Sequence, residues 1–365
     1  MLRAICLCCV MTAMAQEGER KLWKPEFGLE LNSELQVLSY DGDEDASRKY
    51  NYVNLLRLNA SVLVAKGLSF NIASISTCMT SDENIARDLQ TFSNIEAGNI
   101  PFVLSTCALT WDIPSAANGR NRHSLSFGVR NMNSDYFASE LTSLYGNSSC
   151  GIYPTISVNH DIANYPLASV GAHYRYERLL GEVGAEKPNV LALQASLYNG
   201  LGYNRFTGRE NVFRFCPQSD GLFGLARVEY QHDGSSYFLG VCGRKTFGGV
   251  ESSSPTIWSY AEQRLTEHAS LIAGYSHAFG SGRECRDFAG VGGKYTWRRY
   301  ELGIFTDYAH FSECGESATE LTCRIQLTPF LTLQPMAHVI VPVSPTPDVE
   351  DDTRVVGVLR MTITY

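Results

Sequence analysis

The feature that most constrains this chain is a two-residue alternation of apolar and polar side chains, repeated in segment after segment. Successive side chains of a β-strand point to opposite faces, so strict alternation marks a strand with one dry face and one wet face. Phe27, Leu29, Leu31, Leu35 and Val37 share one parity, and Glu30, Asn32, Glu34 and Gln36 share the other. Leu56, Leu58, Ala60, Val62 and Val64 alternate with Arg57, Asn59 and Ser61. The same pattern returns around Leu125–Arg130, Val170–Glu177, Leu191–Tyr198 and Ala226–Gln231. In Tyr300–Tyr308, tyrosines bracket an apolar centre of Leu302 and Ile304, as an interfacial aromatic girdle requires.

Residues 1–15, MLRAICLCCVMTAMA, read as a secretory signal. Arg3 supplies the positive end, Ala4 to Met14 the short apolar stretch, and Ala13-Met14-Ala15 the small-x-small cleavage pattern, with a mature start expected at Gln16. No later apolar run approaches the ~18 residues that a transmembrane helix needs. An exported chain whose strands carry a continuous apolar face points to an all-β fold, a transmembrane antiparallel β-barrel, in the outer membrane of a Gram-negative bacterium. The last segment is the sharpest case. Val355, Gly357, Leu359, Met361, Ile363 and Tyr365 form one face, and Arg354, Val356, Val358, Arg360, Thr362 and Thr364 the other. An Arg facing lipid at mid-membrane costs about 2–4 kcal/mol, so Arg360 is expected to point inward.

No linker or low-complexity block divides the 365 residues, so one domain is expected over 16–365. Roughly seventeen segments qualify as strands, and bacterial barrels close with an even number. Pro101–Trp111 alternates worst and follows a helical-looking stretch, Ser81–Asn94. Removing it leaves an expected 16 strands, with a helical or loop (plug) insertion near 78–122. The net charge of −8 argues against a nucleic-acid partner. Of eleven cysteines, three lie in the signal; the other eight form no CxxC and no zinc spacing with histidine, so neither a metal nor a cofactor is expected.

Several blocks resemble the carbohydrate-selective porin family, the OprB-like outer-membrane porins. They are Asp88–Ala97 (DLQTFSNIEA), Ser126–Arg130 (SFGVR), Asp135–Ser139 (DYFAS), Ser148–Thr155 (SSCGIYPT), Tyr165–Ala168 (YPLA), Tyr198–Gly200 (YNG) and Leu327–Pro335 (LTPFLTLQP). They occur in the family's order and extend over most of the chain. The resemblance implies a sixteen-stranded channel through which mono- or oligosaccharides diffuse passively. The terminal aromatic Tyr365 likewise resembles the signal by which the barrel-assembly machinery recognises its clients. The expected partners are thus the bilayer lipids, sugars as transported solutes and that machinery; monomer and homotrimer both stay open.

Strand parity nominates Arg57, Arg130, Arg175, Glu177, Arg227, Glu229, Arg244, Lys294, Arg324 and Arg360 as pore-lining residues, joined by Glu30 and Glu34. Guanidinium and carboxylate groups offer donors and acceptors to sugar hydroxyls, although the same groups can merely solvate a channel wall. Tyr136 and Phe137, in an expected inward-folding loop, and then Tyr198, are the candidates for stacking on sugar rings. Tyr203–Phe206 is a candidate entrance loop. No catalytic residue is expected: Asn159-His160-Asp161 is a lone polar trio without a G-x-S-x-G elbow. A general channel for other solutes is the nearest alternative. A secreted sugar-binding or adhesive all-β protein is the next, but its strands would not need repeated apolar outer faces.

Overall fold

The computed structural model describes residues 22–41, 49–81, 83–113, 119–182, 187–247, 255–343 and 353–365. The expected export signal and the mature start lie outside these residues. The strands are β1 Pro25–Asp41, β2 Tyr50–Ala65, β3 Leu68–Met79, β4 Ile100–Ile113, β5 Asn121–Arg130, β6 Ser169–Leu179, β7 Val190–Asn199 and β8 Leu222–His232. There follow β9 Ser235–Lys245, β10 Thr256–Arg264, β11 Ala269–Ala278, β12 Cys285–Trp297, β13 Tyr300–Phe311, β14 Gly315–Thr328, β15 Leu331–Val343 and β16 Arg354–Thr364. Each pairs with its sequence neighbours, and β16 returns antiparallel to β1, which closes a sixteen-stranded barrel and leaves no open sheet edge. Tyr365 finishes the seam: its backbone exchanges two hydrogen bonds with Leu29, both 2.9 Å.

The parity of the sequence becomes an inside and an outside. Phe127 is 63% exposed and Leu359 45%, while their neighbours Ser126 and Arg360 are buried. Exposed Leu, Val and Ile side chains such as Leu58, Leu239, Val291, Ile304 and Leu321 fill the middle of the outer face. Aromatic residues crowd both rims, Tyr50, Tyr275 and Tyr308 at one and Trp111, Trp297 and Tyr365 at the other. An apolar band between two aromatic girdles is the surface of a barrel that spans a bilayer. One rim has tight turns. Asp233 and Gly234 between β8 and β9 both take positive φ, as a two-residue hairpin with the right-handed strand twist demands. The other rim carries the long connections 80–99, 131–168 and 200–221.

Two expectations need correction. Pro101–Trp111 is not part of an insertion but the body of β4, one of the sixteen strands. Its alternation is broken by register shifts against β3, and Val103 and Leu104, on opposite faces, are both buried. Ser81–Asn94 contains no helix among the described residues. Asn84 Oδ1 accepts from the Ala86 amide at 2.9 Å and Arg87 and Thr91 have positive φ, so local side-chain bonds and turns replace the helical ladder. The eight cysteines of the described strands and loops are free thiols.

Candidate channel constriction

The barrel interior is narrowed by its own connections. The 131–168 segment leaves β5 and turns inward, and Met132, Tyr136, Leu144, Tyr145, Tyr153 and Ile156 pack on the inner wall. The wall meets them with Phe223, Trp258, Ile272, Phe288 and Phe305, all 2% exposed or less. Burying each such side chain is worth about 1.5–3 kcal/mol, so the inner wall of this half is a core rather than a wetted surface. Glycines make the room. A Cβ on Gly274 would lie 2.2 Å from the Tyr153 hydroxyl, and one on Gly303 2.9 Å from Leu144.

Polar groups then fix the segment in register. Tyr145 donates from its hydroxyl to the carbonyl of Gly293 at 2.7 Å. The amides of Gly146 and Asn147 donate to the two oxygens of Glu320, at 2.9 and 2.8 Å, and Asn147 Nδ2 donates to Asp307 at 2.8 Å. The shorter 80–99 connection covers the opposite wall. The amides of Leu89 and Gln90 donate to Glu316 at 2.9 and 3.0 Å, and Ser93 donates to Glu34 at 2.7 Å. Ile85, Ala86 and Phe92 fill the apolar spaces between Met336, Ile340, Val356 and Val358. The two segments are also tied to each other, since Asn94 donates from its amide to Gly146 O at 2.7 Å and from Nδ2 to Tyr145 O at 3.0 Å.

The ten nominated charged residues all lie on the inner face, but in different surroundings. Some are ion-paired along the wall. Arg57 lies 3.8 Å from Glu30, Arg175 2.6 Å from Glu177 and 3.4 Å from Glu229, and Arg227 3.3 Å from the same Glu229. Lys294 bridges Glu140 of the long segment and Glu301 of β13, and Arg324 lies 3.3 Å from Glu301. Arg57 and Glu140 keep 40% and 75% of their side-chain surface exposed inside the barrel. Others act as struts. Arg130 grips Asp135 through two nitrogens, Arg360 reaches Glu34 and Asn94, and Arg244 donates to the Asp220 carbonyl at 2.9 Å. The loop carboxyl of Asp135, although burial opposes its charge, is held below the usual carboxylate range by Arg130.

The stacking candidates need correction. Tyr198 has no exposed surface and donates to Asp135 at 3.1 Å; Tyr136 is 3% exposed and donates to Ser196 at 2.8 Å. Phe137 packs on Trp258 with ring centroids 5.4 Å apart. All three hold the long segment to the wall, because that segment lies flat on the barrel instead of projecting into the lumen. Sequence parity missed Phe238 and Tyr260, half-buried inner-face aromatics on β9 and β10. Arg227 stacks on Phe238, 4.6 Å from its centroid. The signal was an aromatic at an inward parity, between the outward Tyr237 and Leu239. Tyr203–Phe206 does not span the entrance, since the 200–221 connection folds outward: Tyr203 and Val212 pack on the outer-face Leu104 and Val129. Asn159 caps the chain near β12, accepting from the Glu284 amide at 2.9 Å, and His160 packs on Phe223.

The fold has known counterparts. The high-pH structure of Pseudomonas putida OprB superposes with a TM-score of 0.74 at 15% identity, covering 93% of this chain and 94% of that one. Its low-pH structure gives 0.54 at 13% identity, over 93% and 92%. A mutant of the Rh. blastica porin gives 0.52 at 9% identity, over 94% of this chain and all of the other. No family model matches the sequence, and no curated protein matches it. The chain therefore has the porin fold, a sixteen-stranded transmembrane barrel with the architecture of OprB.

Proposed function

We propose that this protein is an outer-membrane porin of a Gram-negative bacterium, through which carbohydrates diffuse passively. The observation that carries the reading is the inner wall beside the two infolded segments. There, Arg57 and Glu140 stay exposed to water within the barrel, and Arg175, Glu177, Lys294 and Arg324 form further ion pairs along the inner wall. Mixed donors and acceptors suit hydroxyl-rich neutral solutes, and a constriction built from folded connections sets the width that selects among them. Phe238 and Tyr260 add aromatic faces beside Arg227. The sequence blocks that resemble the carbohydrate-selective porins, together with the structural likeness to OprB, favour sugars as the solute class.

Liposome swelling with purified, folded protein tests this. Sugars are expected to permeate faster than amino acids of similar size. Equal size-scaled rates would make it a general porin, the second reading, and no swelling together with no conductance in planar bilayers would refute a channel altogether.

A further inference from the structure

The 200–221 connection carries an inference beyond transport. At the long-loop rim, outward positions of a barrel normally meet lipid, yet Leu104, Val129 and Ala168 are at most 4% exposed. Their cover is Val212 and Tyr203, with Tyr203 and Ala168 exchanging backbone hydrogen bonds of 2.8 and 2.9 Å. The connection thus lies down over the outer wall of β4–β6. Asp220 locks it there, accepting from Arg214 Nε at 2.8 Å and from the Tyr203 hydroxyl and Asn199 Nδ2, both at 2.9 Å.

What the locked connection displays is an apolar surface with charged side chains beside it. Phe206, Phe213 and Phe215 are 55%, 46% and 55% exposed, and Phe206 continues onto Phe102 of β4 with ring centroids 6.4 Å apart. A groove of about 360 Å³ runs between Pro101, Phe102, Arg205 and Phe206. Arg205 and Arg209 are exposed at the same tip, with one carboxylate, Glu210, beside them, so the tip stays net positive. The patch lies at the rim of the outer aromatic girdle, where acyl chains give way to headgroups. Aromatic rings are favoured at that depth, and a guanidinium pairs with phosphate through two parallel hydrogen bonds.

We propose that this groove binds a phosphorylated lipid of the outer leaflet, one acyl chain lying along Phe102 and Phe206 and the headgroup phosphate meeting Arg205 and Arg209. The proposal rests on the outer-membrane reading but not on which solute passes.

Native mass spectrometry of the folded barrel in neutral detergent tests it, with bisphosphorylated lipid A, the same lipid stripped of phosphate, and inorganic phosphate as probes. Lipid A is expected to leave a one-to-one adduct, weakened at least tenfold in Arg205→Gln/Arg209→Gln and in Phe102→Ser, which alters the other side of the groove. Neither stripped lipid nor inorganic phosphate should bind comparably. Heat-modifiable mobility and conductance should match the parent, which separates this test from the channel reading. Equal adducts for lipid A in parent and both variants, equal binding of stripped lipid, or an oligomer lost in the variants would each overturn the proposal.

Discussion

Arg360 on β16 donates from Nε to Glu34 on β1 at 2.5 Å, across the seam where the last strand meets the first. Both side chains are buried, and the same guanidinium donates to Asn94 of the infolded 80–99 connection at 2.8 Å. One residue therefore ties barrel closure to the constriction. Removing one partner of a buried pair costs about 3–5 kcal/mol because the other charge is left uncompensated. Arg360→Met is expected to lower the unfolding free energy of the barrel, read from urea titration, by that order and to raise single-channel conductance. Glu34→Gln/Arg360→Met should recover most of the stability, since neither charge then remains. A single variant as stable as the parent would show that the pair does not hold the seam.

Gly274 tests the seat of the long segment. Its missing Cβ is where the Tyr153 hydroxyl sits, whereas a Cβ on Gly224 would meet nothing within 4 Å. Gly274→Ala should loosen 131–163, speeding limited proteolysis there and increasing conductance, while the heat-modifiable band persists. Gly224→Ala should change neither. Equal cleavage rates for the two variants would remove Gly274 from this role.

The barrel was legible in the sequence because membrane strands keep one parity apolar for their whole length, as Leu359 and Arg360 illustrate. The constriction was much less so. Alternation tells which face a residue occupies, not what later covers that face. Val356 and Val358 sit on the inner face as apolar residues because Phe92 and Ile85 lie over them. In β4, cover on both sides buries Val103 and Leu104 alike and erases the pattern that would have identified the strand. Tyr136 and Tyr198 are buried between the long segment and the inner wall, with their hydroxyls committed to Ser196 and Asp135. Such pairings join residues 60 and 63 positions apart in the chain, beyond the reach of local periodicity.

Arg57 separates wall charge from structural charge. It is the well-exposed partner of a 3.8 Å pair with Glu30, and an exposed pair adds only about 0–1 kcal/mol to stability. Arg57→Glu should therefore leave the urea midpoint unchanged. In a salt gradient its reversal potential should shift toward cations, because the charge lining the pore changes sign. An unshifted potential would place Arg57 outside the conducting path.

The seating of the 80–99 connection should depend on pH. Burial, reinforced by the nearby Glu316 carboxylate, pushes the Asp88 carboxyl up to about 7. Burial and then the Asp88 charge push Glu96 up to about 8. A carboxyl whose value is higher in the seated form than when released favours seating while it is protonated, and that contribution disappears as pH rises through the seated value. The connection is therefore held most firmly below about pH 4, where both carboxyls are protonated even when released, and loosens progressively from there to about pH 8. The amides of Leu89, Gln90 and Asn94, all hydrogen-bonded in the seated form, report it directly. Their hydrogen-exchange protection, corrected for intrinsic base catalysis, should fall across that window in the parent and stay level in Asp88→Asn/Glu96→Gln. A level profile in the parent, or an unchanged fall in the double variant, would rule out these two carboxyls as the cause.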